Sequence, residues 1–182
     1  MGKVKVGVFV GSLRKGSYAK AIAVWLKENS PENLELELVE IGQLPFYNQD
    51  FDSDSPASFT AFREKVKTFG AFLFVTPEYN RSVPAVLKNA LDVASRPWGQ
   101  SVWGGKPGGV ISHSIGDIGG FGANHHLRQI LAFLDIYTMQ QPECYVGKSG
   151  SSISEDGVVD DHLAKYLGSY LKAYAAWVER FV

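Results

Sequence analysis

Val4–Tyr18, VKVGVFVGSLRKGSY, decides how the rest of the chain is read. The run Lys3–Val10 is too apolar and β-branched for a strand with a wet face, so it is expected to be buried on both sides of a sheet. It stops at Gly11, and the loop SLRKGS leads into a helix expected at Tyr18–Glu28, whose Ala21, Ile22, Trp25 and Leu26 share one face. A strand ending in such a loop at a helix start gathers backbone N–H groups, Ser12, Arg14 and Ser17 around one point, where a phosphate is held. Gly11 and Gly16 have the spacing of a Walker A loop, but Ser17 stands in place of its lysine. G-x-G-x-x-G is absent too, so a terminal phosphate monoester suits the loop better than a dinucleotide pyrophosphate.

Strands and helices alternate outward from this segment. Leu34–Ile41 alternates leucine with glutamate as an edge-type strand, and Gly42–Ser55 is a loop rich in Pro, Asp and Ser. A helix is expected at Pro56–Thr68, and Ala71–Thr76 (AFLFVT) is a second fully buried strand. After the polar loop Pro77–Val83, Pro84 opens the helix Pro84–Ser95. Gly109–His113 is a strand, Gly116–Gly122 a glycine-rich turn, and Ala123–Leu134 a helix. Ile136–Met139 is a short last strand and Asp160–Arg180 a long closing helix. The pattern predicts one α/β domain over residues 1–182, with a five-stranded parallel sheet in the flavodoxin-like order 2-1-3-4-5 and helices on both faces. Ligands of such sheets sit beyond the carboxyl ends of strands one and three. The loops arriving there are Gly11–Ser17, Pro77–Val83 and Ser112–Gly120, the three densest in Gly, Ser, Asn and aromatic residues.

Composition narrows the function classes. At 182 residues with 45% hydrophobic content the chain can bury a sizeable core. A net charge of −1 carries no electrostatic footprint for nucleic acid or an anionic membrane. One cysteine, Cys144, excludes an internal disulfide, suits a reducing cytoplasm, and reads as a structural thiol. No leader-like segment opens the chain, and no apolar run approaches the roughly 18 residues that span a bilayer, so a soluble cytoplasmic protein is expected. Ser12, Ser17 and Ser114 lack a histidine and carboxylate at hydrolase spacing, and G-x-S-x-G is absent. No metal site is expected: His125 and His126 are adjacent on a helix and point about 100° apart, and His162 opens the last helix. Lys88 and Asp92 read as a surface i, i+4 pair.

GSLRKGS at Gly11–Ser17, TPEYNRSVPAVLKNALD at Thr76–Asp92, and SHSIGDIGG at Ser112–Gly120 followed by HLRQIL at His126–Leu131 resemble the NADPH-dependent FMN reductase family. Its relatives include chromate, quinone and azo-dye reductases. The resemblance implies that FMN phosphate is held by Ser12, Arg14 and Ser17 with backbone N–H groups, and that Gly11, Leu13 and Tyr18 complete that loop. It implies that Pro77, Glu78, Tyr79, Asn80 and Arg81 line the isoalloxazine ring and that Ser114 approaches the ring's other side. Three of these residues have other readings: Tyr79 packs on its own helix, Arg81 is a solvated charge, or Glu78 satisfies neighbouring backbone or reaches a partner subunit.

The implied reaction is a ping-pong hydride transfer from NADPH or NADH to FMN N5, then to a quinone, an azo compound, a metal oxyanion such as chromate, or free flavin. It needs no catalytic side chain. A flavodoxin-type electron carrier or flavin-binding sensor would share the fold and FMN without NAD(P)H turnover. The chain departs from the family pattern at Ala19, where many members have Asn, at His113, where smaller residues are common and which the resemblance places close to the ring, and at His125, often an aromatic position. Relatives form dimers or dimers of dimers. In RPWGQSVWGGK (Arg96–Lys106) Trp98 and Trp103 are therefore expected to stand exposed and help close the flavin site from a second subunit, the other reading being that they fold back on their own core.

Overall fold

Five apolar runs and their flanks account for the sheet. The computed structural model describes residues 2–181, which contain six strands in one parallel sheet. Val4–Val10 (β1), Ala71–Pro77 (β3) and Lys106–His113 (β4) form its centre, with Leu34–Val39 (β2) on one edge. Strand order is β2-β1-β3-β4, continued by Ile136–Thr138 (β5), as the alternation predicts. Registers such as Val10 opposite Val75 and Pro77 opposite His113 bring the carboxyl ends of β1, β3 and β4 to a common edge.

The fifth position departs from the sequence reading. The single strand expected at Ile136–Met139 is two: β5 pairs with Lys106–Gly108, and Cys144–Val146 (β6) pairs with Ile111–His113 further along the same strand. After Met139 donates its N–H to Gly108 O (2.8 Å), the chain leaves the sheet through a segment containing Pro142, which has no N–H to give a ladder. β4 itself begins at Lys106, three residues before the expected Gly109, because the KPGG stretch extends despite its composition.

Helices Tyr18–Glu28 (α1) and Asp161–Val178 (α6) cover one face; Ala57–Lys67 (α2), Ala85–Ala94 (α3) and Phe121–Phe133 (α4) cover the other. A 3-10 turn at Gln49–Asp52 and the one-turn helix Ser149–Ser152 (α5) lie in the connections. Side chains alternate across each buried strand. Val6, Val8, Leu73, Val75 and Ile111 therefore face Ile22, Leu26, Leu167 and Tyr174 in an aliphatic core. Phe9, Phe72, Phe74 and Val110 face Phe59, Leu87, Leu91 and Leu127 in an aromatic one.

Trp103 belongs to this aromatic layer. It is 0% exposed, its ring lies 4.9 Å from Phe72 and 5.2 Å from Phe9, and its Nε1–H donates to Leu91 O at 3.0 Å. The expectation that it stands exposed beside Trp98 is corrected. An indole with an apolar wall and one acceptor within reach buries at little cost even from a glycine-rich loop. Trp98 does stand out, at 77% exposure.

The irregular segment before α2 is held by side chains: Asn89 Oδ1 accepts from Tyr47 N (2.8 Å), its Nδ2 donates to Pro45 O (2.9 Å), and Arg96 pairs with Asp52. Cys144 is buried, and desolvation pushes its thiol up to about 12, in keeping with a structural role. Among the described residues no helix is long and apolar enough to cross a membrane.

Candidate functional site

The loop after β1 is built to offer donors. Gly11 crosses the end of β3 so closely that a Cβ there would lie 2.7 Å from Thr76 Oγ1, and its N–H donates to Val75 O at 2.9 Å. Ser17 caps α1: its Oγ accepts from Lys20 N at 3.2 Å, which leaves its O–H proton to point outward. The N–H groups of Tyr18 and Ala19 open the helix and have no carbonyl behind them. Arg14 lies over the Tyr18 ring at 5.0 Å from its centre, and none of the ion pairs among the described residues includes it. Guanidinium, hydroxyl and first-turn N–H groups together make an anion site.

The loop after β3 is a tight hairpin. Tyr79 and Ser82 exchange both N–H···O bonds at 2.9 Å, and the two central residues, Asn80 and Arg81, have φ of 48° and 65°. That is a type I′ turn, which asparagine at its first central position favours. Glu78 anchors it. Its Oε2 accepts from Ala123 N at 3.1 Å, at the positive end of α4, and its Oε1 takes Arg81 Nη1 at 3.1 Å. The Glu78 carboxylate thus satisfies neighbouring backbone, one of its readings. Gly122 permits the approach, since a Cβ there would come within 2.8 Å of Arg81 O. The Arg81 side chain is 73% exposed, and Tyr79 is exposed at the rim.

The loop after β4 brings Ser114, whose N–H donates to Val146 O (3.0 Å) and whose Oγ donates to Gly116 O (3.1 Å). Beside it His113 is buried, with Nδ1 3.2 Å from Ser149 Oγ. Burial, reinforced by the positive charge of Arg14, lowers its pKa to about 4, so it is neutral at physiological pH.

These three loops enclose a cavity of about 390 Å³. Ser12, Arg14, Ser17, Tyr18, Pro77, Glu78, Tyr79 and Ser114 all line it, as the sequence led one to expect. Gly11, Leu13, Asn80 and Arg81 do not. Gly11 is the backbone crossing beneath the loop, Leu13 turns toward Gly42 and a cleft beside β2, and Asn80 and Arg81 form the hairpin tip. His113 and Ile115 line the cavity without having been singled out as site residues, although the size of His113 had marked its position as unusual. His125 bonds Tyr145 OH (3.0 Å) and His126 bonds Ser82 Oγ (3.0 Å); neither reaches the cavity.

The family description "NADPH-dependent FMN reductase" matches residues 4–151, a span that includes all three loops. The chain belongs to the NADPH-dependent FMN reductase family. A quinone reductase of Pseudomonas putida is 50% identical over 175 residues, covering 96% of this chain and 94% of the relative. A 2-hydroxy-1,4-benzoquinone reductase from a Burkholderia species is 50% identical over 176 residues, covering 96% of each chain. Among solved structures, FerB, a flavoenzyme NAD(P)H:(acceptor) oxidoreductase of Paracoccus denitrificans, superposes with a TM-score of 0.90 at 38% identity over 98% of both chains. The protein is thus an FMN-dependent oxidoreductase with NAD(P)H as its reductant. Its residues fit that cofactor: a loop offering a guanidinium, hydroxyls and first-turn N–H groups to a phosphate monoester, an adjoining cavity of ligand-pocket size, and a buried imidazole nitrogen, His113 Nε2, without a hydrogen-bond partner among the described residues.

Proposed function

We propose that the chain reduces quinones with NAD(P)H, using FMN held in the cavity at the carboxyl edge of β1, β3 and β4. The observation that carries the reading is the convergence of three loops on one cavity, one end of which gathers Arg14, Ser12, Ser17 and the first turn of α1. The names of relatives at 50% identity favour quinones over the azo compounds, oxyanions and free flavins that the family also takes. FMN held there would supply the redox chemistry, hydride acceptance from NAD(P)H and electron transfer to the acceptor.

The protein's part is binding and orientation. Arg14, Ser17 and the first-turn N–H groups of α1 hold the phosphate. Glu78 keeps the hairpin pressed on α4, so the backbone of Pro77–Tyr79 meets the ring from a fixed position. Tyr79, 56% exposed, offers an aromatic face at the mouth where nicotinamide and then quinone stack. Ser12 and Ser17 hydroxyls accept from backbone N–H groups, an arrangement suited to binding and not to nucleophilic attack.

The working molecule is a homodimer or a homotetramer in the cytoplasm. A groove of about 730 Å³ between α3 and α4, lined in part by Val83, Ile130 and Phe133, continues toward Trp98. Phe133 is 79% exposed, and a second copy would cover it.

A visible spectrum with FMN, before and after anaerobic NADPH and then a benzoquinone, tests the reading. The expected sequence is a bound flavin band that bleaches with NADPH and returns with one equivalent of quinone. A band that NADPH leaves unchanged would make the protein a carrier or sensor instead.

A further inference from the structure

His113 ends β4 in register with Pro77 of β3 and Val146 of β6, so its ring is delivered to the wall of the cavity between two of the three loops. It is 6% exposed, and Ser149, its Nδ1 partner at 3.2 Å, is fully buried. Nε2 is also buried and has no hydrogen-bond partner among the described residues. Buried polar atoms are nearly always paired in folded proteins, so an orphan in a residue that lines a binding cavity calls for a partner the protein does not supply. The ring stands edge-to-face on Tyr18, with centroids 6.2 Å apart, which puts it beside the phosphate loop. Arg14 lies near enough for its charge to act on the imidazole. On α1, Ala19 is fully buried and carries no polar atom toward that loop.

The chemistry of Nε2 follows from its neighbours. The ring is neutral, so one of its two nitrogens carries the proton; where the Ser149 hydroxyl donates to Nδ1, that proton sits on Nε2. Ser149 is itself placed by its backbone, whose N–H donates to Ser114 O at 3.0 Å. In that tautomer Nε2–H adds a donor to Arg14 and Ser17, which line the same cavity, and the set suits an anionic acceptor.

We infer that His113 Nε2 donates a hydrogen bond to the phosphate of FMN and so distinguishes FMN from riboflavin. This rests on the reading that Gly11–Ser17 holds the phosphate. His113 is here a cofactor-binding residue and takes no part in hydride transfer.

The test titrates the protein, freed of flavin, with FMN and with riboflavin, following flavin fluorescence. His113→Asn keeps a partner for Ser149 and removes the Nε2 donor, whereas His113→Gln places an amide N–H near the Nε2 position. The inference expects His113→Asn to weaken FMN about tenfold or more while leaving riboflavin affinity unchanged, and His113→Gln to restore much of the loss. Equal losses for both flavins, or no loss for FMN, would overturn it.

Should His113→Asn fail to fold, imidazole NMR of the wild-type protein serves, since the chain has only four histidines. The His113 ring signal should move with FMN and with inorganic phosphate but not with riboflavin; a shift common to FMN and riboflavin, or none, would overturn the assignment. If wild-type protein binds FMN no better than riboflavin, the phosphate-loop reading falls with it. If FMN binds tightly with His113 unmoved, only this inference falls.

Discussion

A single guanidinium carries much of the expected discrimination for a phosphate. Arg14 stacks on Tyr18 and has no carboxylate partner among the described residues, so its charge is available to a ligand. Arg14→Gln should lower FMN affinity about tenfold or more in equilibrium dialysis, because a charge-assisted bond exceeds a neutral one. His113 yields a second prediction, in the protein without flavin. In the folded state it stays neutral down to about 4, while an unfolded histidine takes up its proton near 6.5. Between those values the unfolded chain binds more protons, so this contribution to stability is complete above about pH 6.5 and is lost as pH falls toward 4. The slope is at most about 1.4 kcal/mol per pH unit. Urea midpoints at pH 7 and pH 5 should differ less in His113→Gln than in wild type.

That Arg14 and Ser17 would meet at the start of α1 was readable from residue type and from the loop's place between strand and helix. The partners of Glu78 and His113 were not, since Ala123 and Ser149 lie 45 and 36 residues away along the chain. Only the fold brings them together.

Among elements, the hairpin after β3 and the start of α4 act as one piece. Their contact is backbone against backbone at Gly122, so Gly122→Ala should force the two apart. A cost of about 1–3 kcal/mol is expected in denaturant unfolding, together with weaker FMN binding as the hairpin shifts. The strands divide sharply in how well the sequence announced them. β1 and β3 are long apolar runs whose centres are buried on both faces. β6 is three residues, Cys144–Val146, too short to show any period, and its pairing depends on β4 already being in place. Trp103 misled for a related reason: its loop suggests exposure, while its surroundings come from Phe9, Phe72 and Leu91 on three other elements.

For the whole molecule, the parallel sheet and the edge where its loops converge followed from the alternation of strands and helices alone. Assembly follows from the other side of the α3–α4 pair. If two copies meet over the groove that holds Phe133, Phe133→Asp should place a charge in that contact and yield a monomer in sedimentation velocity where the wild type sediments as a dimer or larger. An unchanged sedimentation coefficient would move the contact elsewhere.

The burial of Trp103 also gives the molecule an optical probe. Of its four tryptophans, Trp25 and Trp177 are half-buried and Trp98 stands in solvent, which leaves Trp103 as the one indole wholly removed from water. Its emission should form the short-wavelength edge of the spectrum and disappear when the phenylalanine layer opens. With Trp98 replaced by a non-fluorescent residue, the loosening of one face of the sheet could be timed separately from the escape of flavin at its edge.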